Sequence, residues 1–305
     1  MLNDKQTKLL LVGDNPFHNI SHLSQERARS RTEDPSNPKY AANLIMTAST
    51  NGANGFTFSI CEKTLAILKE LDMHDAVGDL HLYPIIPYAF EYVRLANQFG
   101  ITGLTKSVGK ELVKSMNVKS LSWGLRGLLT FDLKSIVKAY LSYEISRVRS
   151  STSVKELLDS MLLHQLITDM ALALDLDWVF KEYVDFLSSR KIVPGFNTGN
   201  FPVLVRKFCD WNIDLGKVII AAPFNKLGFQ MIPSMKECEK VLCALPKANV
   251  IAISVLAAGY LPLEGAAEYI RDLPNVKGVA IGISKQKHAE ETFSVFRKRF
   301  STSYS

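Results

Sequence analysis

The sequence has no apolar run of the roughly 18 residues that a membrane-spanning helix needs. Its first residues, Met1 to Lys5, are too polar for a secretory signal. The four cysteines include no C-x-x-C pair, so we expect free thiols, as in proteins of a reducing compartment. These absences argue against a membrane protein and against a secreted disulfide framework. We therefore expect a cytoplasmic protein.

Several binding motifs are also missing. No G-x-G-x-x-G follows an apolar run, and there is no Walker phosphate loop or H-E-x-x-H zinc motif. No helix-turn-helix or zinc-finger pattern indicates nucleic-acid binding. The net charge of +6, from 36 Lys+Arg and 30 Asp+Glu, is spread along the chain. That balance fits a small anionic ligand and equally fits an ordinary basic surface.

What the sequence does contain is a series of short apolar runs. Apolar residues make up 47% of the chain, enough for a large core. Uninterrupted runs of this kind are typical of parallel strands buried on both faces. The eight runs are residues 8–13, 56–59, 81–88, 159–165, 191–196, 217–222, 249–254 and 277–282. In the second half they alternate with helical patterns, which predicts an α/β fold: one (β/α)8 TIM barrel over residues 1–305. An open doubly wound sheet and a two-domain split are the alternatives.

Between the third and fourth runs the pattern changes. Helical periodicity continues over Glu91 to Phe99, Lys110 to Met116 and Leu133 to Val148, with no strand among them. We interpret residues 100–155 as a helical insertion within the barrel. Its apolar centre, residues 121–129, suits a cover over a pocket, a contact between subunits of a homo-oligomer, or plain burial against the wall.

Polar residues follow several of these runs. The carboxyl ends of barrel strands meet at one rim, where ligands bind. The candidate catalytic residues there are Asp14, Glu62, Tyr88 and His164. Glu62 and His164 form a candidate acid–base pair, although a carboxylate that begins a helix is also stabilised by the helix dipole. Asp14, His18, Glu62 and His164 could instead bind a divalent metal.

The fourth run, Asp159 to His164, resembles the D-L-x-L-x-H strand of the aldo/keto reductase superfamily. Later segments are similar as well: Gly195 to Thr198, Pro223 to Asn225, Ser254 to Leu261, and Ala280 to Lys285. The resemblance covers most of residues 40–298. It implies a (β/α)8 barrel that binds a nicotinamide cofactor, NADPH, at its rim.

The resemblance also implies roles for individual residues. His164 corresponds to the histidine that orients or polarises the substrate carbonyl. Asn197, or Asn200 if the loop is longer, corresponds to a residue that holds the nicotinamide carboxamide, and Asn225 lies in a matching stretch. Ser284 and Lys285 fall where the family grips the adenosine phosphate, and a helix start after the last strand suits phosphate on general grounds.

The sequence departs from the family in its catalytic tetrad. Thr57 stands in register with the aspartate, Glu62 falls at the tyrosine, and no lysine lies in the third run. Our first hypothesis is an aldo/keto-reductase-like enzyme with a degenerate tetrad, acting on a small carbonyl or phosphorylated metabolite. The second is a non-redox hydrolase, lyase or isomerase, with or without a metal. The third is a ligand-binding barrel without catalysis.

Overall fold

The chain closes into a barrel of parallel strands. In this computed structural model the described residues are 8–20, 34–87, 132–154 and 158–301. The strands are β1 (Leu9–Gly13), β2 (Gly55–Ser59), β3 (His81–Ile86), β4 (Ser160–Leu163), β5 (Val193–Asn197), β6 (Ile219–Pro223), β7 (Asn249–Ile253) and β8 (Val276–Gly282). They pair in chain order and β8 returns to β1, so the sheet has no open edge. The predicted (β/α)8 barrel is confirmed.

Helices surround the strands. Within the described ranges they are α1 (Pro38–Thr50), α2 (Glu62–Met73), α3 (Leu133–Arg149), α4 (Gln165–Ala173), α5 (Asp177–Ser188), α6 (Phe201–Asp210), α7 (Met235–Ala244), α8 (Leu263–Asp272) and α9 (Gln286–Ser301). Local sequence explains several of their starts. Asn37 caps α1 with its side chain, and Ser234 caps α7 in the same way. None of these helices combines the length and apolar character needed to cross a membrane.

Alternating side chains divide each strand between two cores. Leu10, Val12, Phe56 and Phe58 pack in the large core between the strands and the helices. The side chains of the opposite face fill the inside of the barrel. We call this second cluster the barrel plug: Leu9, Leu11, Tyr83, Leu162, Ile219, Ala221 and Ile251. The plug is apolar, so it separates the two ends of the barrel.

Glycines make room for the leucines of the barrel plug. A Cβ atom at Gly55 would lie 2.5 Å from Leu11 Cδ2, and one at Gly195 would lie 2.9 Å from Leu162 Cγ. Both separations are shorter than van der Waals contact. The small residues of one strand therefore receive the large residues of its neighbour, as expected for a packed interior.

The prolines of the third predicted run are accommodated by an interruption in the sheet. β3 pairs with β2 along its length, but it pairs with β4 only at Ile85 and Ile86. An isolated bridge at Leu82 precedes these two pairs. Pro84 has no N–H to donate, and it lies where the ladder with β4 is broken.

Two segments around the fourth strand bear on the predictions. Gln165 was expected to extend the fourth strand but begins α4, so that expectation was wrong. Within the predicted insertion, the helix expected over Leu133 to Val148 is confirmed as α3. The rest of the insertion, residues 100–131 and 155, lies outside the described residues, as do the helices expected at Glu91 to Phe99 and Lys110 to Met116.

Candidate functional site at the carboxyl end of the barrel

Beyond the barrel plug, two strands each place a polar side chain on the same face as their inward-facing residues. Leu162 and Gly195 are paired across β4 and β5 and face the inside of the barrel. His164 lies two residues after Leu162, and Asn197 lies two residues after Gly195. Because side chains alternate along a strand, both lie at the carboxyl mouth, the end where barrels of this fold bind ligands.

His164 ends the fourth strand and caps the next helix. Its backbone N–H still donates to the carbonyl of Ile86 at 2.6 Å. Its side-chain Nδ1 accepts a hydrogen bond from the backbone N–H of Leu166 at 3.2 Å. A ring nitrogen that accepts a hydrogen bond carries no hydrogen, so the neutral imidazole has its hydrogen on Nε2. No hydrogen bond within the described ranges involves Nε2, which is therefore an available donor.

Burial keeps this imidazole neutral. It lowers the pKa of His164 below the ordinary value of 6.5, because a low-dielectric environment disfavours the charged ring. The carboxylates of Asp14 and Asp169 act in the opposite direction, and burial outweighs them. His164 at pH 7 is therefore a neutral hydrogen-bond donor.

Asp14 connects the loop after β1 to the end of β2. Its Oδ2 accepts a hydrogen bond from the backbone N–H of Ser59 at 2.6 Å and lies 3.0 Å from Nε2 of His18. The side chains of Asp14 and His18 are each only 6% exposed. The short 3-10 turn Asn15–His18 brings the imidazole back to the carboxylate. The site thus contains a buried carboxylate–imidazole pair within electrostatic range of His164.

Glu62 begins α2, but its partner is not the one expected. Its side chain is 86% exposed and forms an ion pair with Arg147 of α3 at 2.9 Å. Arg147 also binds the buried carboxylate of Glu144 at 3.1 Å. Glu62 is not among the charges that influence His164. The structure does not bring Glu62 and His164 together, and Glu62 instead joins α2 to α3.

Three of the four residues expected to bind a cofactor have available polar groups. The half-buried amide of Asn197 makes no side-chain hydrogen bond with any described residue, and the hydroxyl of Ser284 makes none either. Lys285 is exposed and immediately precedes α9. An amide at the mouth and a cation at a helix start are suitable contacts for a nucleotide.

Asn225 is occupied by its own loop. Its Nδ2 donates to the carbonyl of Phe229 at 2.8 Å, and its Oδ1 accepts from the backbone N–H groups of Leu227 and Phe229. The residue is completely buried. Asn225 therefore shapes the loop after β6, and its amide is not available to a cofactor.

A carboxylate that sequence reasoning missed organises the loop after β5. Oδ1 of Asp169 accepts from the hydroxyl of Thr198 at 2.6 Å, and Oδ2 accepts from the backbone N–H of Gly199 at 3.0 Å. Asp169 belongs to α4, a helix that was not predicted from the sequence. The available signal was the helical spacing of Thr168, Ala171 and Leu172, which are the buried residues of α4.

The remaining predictions concern a metal and the tetrad. In the parts of the chain that the structure describes, no group of three or more His, Cys, Asp or Glu side chains could hold a metal ion. Thr57, at the position of the family aspartate, is buried and donates its hydroxyl to the carbonyl of Tyr83 at 3.0 Å. Tyr88 lies outside the described residues.

Solved structures with the same architecture include aldo-keto reductases. PA4992 of Pseudomonas aeruginosa, provisionally classed as an aldo-keto reductase, aligns with 99% of this chain and 98% of its own, at a TM-score of 0.57 and 12% identity. The aldo-keto reductase AKR11C1 from Bacillus halodurans, in its holo form, aligns over 95% of this chain and 90% of its own, at a TM-score of 0.54 and 11% identity. Dispersin B aligns over 97% of this chain and 98% of its own, at a TM-score of 0.51 and 11% identity.

These structural alignments, at 11% and 12% identity, establish the fold. No family model matches the chain, and neither does any curated protein. The protein is a (β/α)8 barrel with a polar site at its carboxyl mouth. More particularly, it is a barrel similar in fold to the aldo-keto reductases over nearly the whole chain.

Proposed function

We propose that this protein is an oxidoreductase of the aldo/keto reductase type, which reduces a small carbonyl or phosphorylated metabolite with NADPH. The observation that carries the proposal is the neutral imidazole of His164. Its Nε2–H has no partner among the described residues, and it lies at the mouth of the barrel. The likeness in fold to AKR11C1 supports this choice of reaction class.

His164 acts on the carbonyl oxygen of the substrate. Negative charge develops on this oxygen when the carbon is reduced, and a donor fixed in advance stabilises it. The ring is fixed by the Nδ1 contact to Leu166 and by the strand-like backbone bond to Ile86. The apolar plug below the site limits water on that side, which strengthens the interaction.

The residues present fit NADPH at three of the four expected positions. Asn197 would hold the carboxamide, and Ser284 and Lys285 would hold the phosphate groups at the adenosine end. A cation at Lys285 favours NADPH over NADH, because only NADPH has a phosphate on that ribose. When bound, NADPH supplies the hydride. Asn225 has no role in this proposal.

The substrate oxygen also takes up a proton. We assign its donation to Tyr88, on the strength of its position at the end of the third apolar run. An ordinary phenol, with a pKa of about 10, is far more acidic than the alcohol that forms. Glu62 has no part in this step because its carboxylate is bound to Arg147. Asp14 is assigned a supporting role, as a fixed negative charge near His164.

Thermal unfolding with NADPH and NADH is the first test. A cofactor present at 100 times its dissociation constant should stabilise the protein by about 2.7 kcal/mol. Asn197→Ala should reduce the shift seen with NADPH, and Lys285→Ala should reduce the preference for NADPH over NADH. The exposed His74 provides a matched control, because His74→Ala should leave both shifts unchanged. The absence of any shift with either nucleotide would remove the redox proposal.

Turnover is the second test. A set of small aldehydes, ketones and phosphorylated carbonyl compounds is assayed by oxidation of NADPH. His164→Ala should strongly lower the rate of turnover while NADPH still binds, and Tyr88→Phe should slow turnover as well. Binding of NADPH without any turnover across the set would favour the third hypothesis, a ligand-binding barrel.

A further inference from the structure

We infer that Asp169 is a positioning residue for the mouth of the barrel: it fixes the loop after β5 against α4 and so holds Asn197 in place relative to His164. The effect on turnover rests on the proposed function. The effects on the loop and on the imidazole do not depend on it.

Asp169 and His164 belong to the same rigid element. His164 caps α4, and Asp169 lies in its second turn. The carboxylate of Asp169 reaches the two residues that directly follow Asn197. Thr198 donates its hydroxyl to Oδ1 at 2.6 Å, and Gly199 donates its backbone N–H to Oδ2 at 3.0 Å. One side chain therefore connects the element that carries the imidazole to the strand that carries the amide.

The contact continues into the next helix. The hydroxyl of Thr198 also accepts from the backbone N–H of Asn200 at 3.0 Å. Asn200 in turn caps α6 by accepting from the N–H of Val203. Thr198 is completely buried, so these bonds form away from water. The carboxylate of Asp169 thus binds the start of the connection from β5 to α6, which the backbone bond from Thr198 to Ala221 and the Asn200 cap also hold.

The loop after β5 approaches α4 closely at Gly199. A Cβ atom there would lie 2.5 Å from Nε2 of Gln165 and 3.2 Å from Oδ2 of Asp169. A Cβ at this position would therefore displace the exposed side chain of Gln165 and press on the carboxylate of Asp169. These distances show how closely the loop packs against the two α4 side chains.

Asp169 also acts on His164 electrostatically. Its negative charge raises the pKa of His164 against the larger effect of burial, and Asp14 does the same from the loop after β1. These two carboxylates are the charges that influence His164 in the described parts of the chain. A residue with a purely structural role in the loop would have no effect on the imidazole.

The test compares three variants of the full chain by NMR: Asp169→Asn, Asp14→Asn and Asp177→Asn. Asp177 is the matched control, because it pairs with Lys181 on the outside of α5. The measurements are amide hydrogen exchange at Gly199 and the titration of the His164 ring. Asp169→Asn should speed exchange at Gly199 and lower the pKa of His164. Asp14→Asn should lower only the pKa, and Asp177→Asn should change neither.

Thr198→Val provides a second route if Asp169→Asn does not fold. It removes the hydroxyl while keeping the charge of Asp169, so exchange at Gly199 should rise and the pKa of His164 should stay the same. Unchanged exchange at Gly199 in a folded Asp169→Asn protein would overturn the inference, and so would unchanged exchange in Thr198→Val.

Kinetics separate this inference from the proposed function. A displacement of about 1 Å in a reacting group can cost on the order of 100-fold in turnover. Asp169→Asn should therefore weaken NADPH binding and turnover, whereas Asp177→Asn should not. If the NMR effects occur in a protein that neither binds nor oxidises NADPH, the proposed function fails and the positioning role stands.

Discussion

Two histidines on neighbouring strands occupy opposite ends of the barrel. His81 begins β3 at the amino end, is 49% exposed, and has Nδ1 3.0 Å from Oδ2 of Asp159. That hydrogen bond raises the pKa of His81 above 6.5. His164 follows β4 at the carboxyl end, where burial lowers its pKa below the same value. The two imidazoles are shifted in opposite directions.

The comparison separates a histidine whose ring is paired with a carboxylate from one whose Nε2 has no partner among the described residues. The Asp159 carboxylate is hydrogen-bonded to one ring nitrogen of His81, so this histidine joins two strands at the amino end of the barrel. Among the described residues, the ring of His164 is held by one backbone N–H, that of Leu166, which leaves Nε2 available at the carboxyl end. Asp159 and His164, which stand out together in the sequence, lie at the two ends of the same strand. Asp159 therefore pairs with His81.

The largest expected difference is in catalysis. His164→Ala should lower kcat/KM for NADPH-dependent carbonyl reduction by on the order of 10²–10⁴-fold, because it removes the donor to the substrate oxygen. His81→Ala should leave kcat/KM nearly unchanged, since it lies beyond the barrel plug. Steady-state kinetics of both variants test this. Equal losses of kcat/KM in the two variants would contradict the assignment of different roles to the two ends of the barrel.

The next effect concerns the barrel plug that separates the two histidines. Leu162→Ala should lower the free energy of unfolding by about 2–5 kcal/mol, because it opens a cavity among buried side chains. Leu166→Ala, at a half-exposed position on α4, is the control and should cost less than about 0.5 kcal/mol. Urea denaturation measures both. Similar costs would show that the inside of the barrel is not packed as described.

A smaller effect isolates the amino end. Asp159→Asn should lower the pKa of His81 towards 6.5, because the hydrogen bond to a charged carboxylate is the first cause of its shift. The pKa of His164 should not move, because Asp159 is not among the groups that influence it. NMR titration records both rings in one sample. A shift of His164 as well would mean that the two ends are electrostatically coupled.

The smallest effect is the pH dependence of stability, which should have opposite signs for the two residues. The folded-state pKa of His81 is raised, so its contribution is full below about 6.5 and is lost as pH rises through the folded value. The folded-state pKa of His164 is lowered, so its contribution is full above about 6.5 and is lost as pH falls.

Denaturation of the wild type, His81→Gln and His164→Gln at about pH 5.5 and about pH 8 measures these contributions. From the lower to the higher pH, the wild type should lose stability relative to His81→Gln and gain it relative to His164→Gln. The same sign for both differences would contradict the assignment.

Much of the fold could be predicted from the sequence. Strands buried on both faces have uninterrupted apolar sequences, and all eight predicted runs correspond to strands. The position of His164 followed from the same pattern, because it directly follows such a run. The start of α4 could not be predicted: His164 is not a common cap residue, and β4 passes into α4 with no loop between them.

The partners of single polar residues were the least predictable part of the site. Glu62 pairs with Arg147, a residue 85 positions away, and a single sequence carries no sign of that contact. Asn225 matched the pattern of a ligand-binding amide, but its three hydrogen bonds depend on the backbone path of its own loop. Asp169 could be recognised only after the helix that carries it was known.

His164 presents a neutral Nε2–H at the mouth of the barrel. An NMR titration of the ring nitrogens and carbons of the wild-type protein tests it directly, with His81 as the internal reference. We expect His164 to titrate below 6.5 with its hydrogen on Nε2, and His81 to titrate above 6.5. A value for His164 at or above that of His81, or a hydrogen on its Nδ1, would contradict the account.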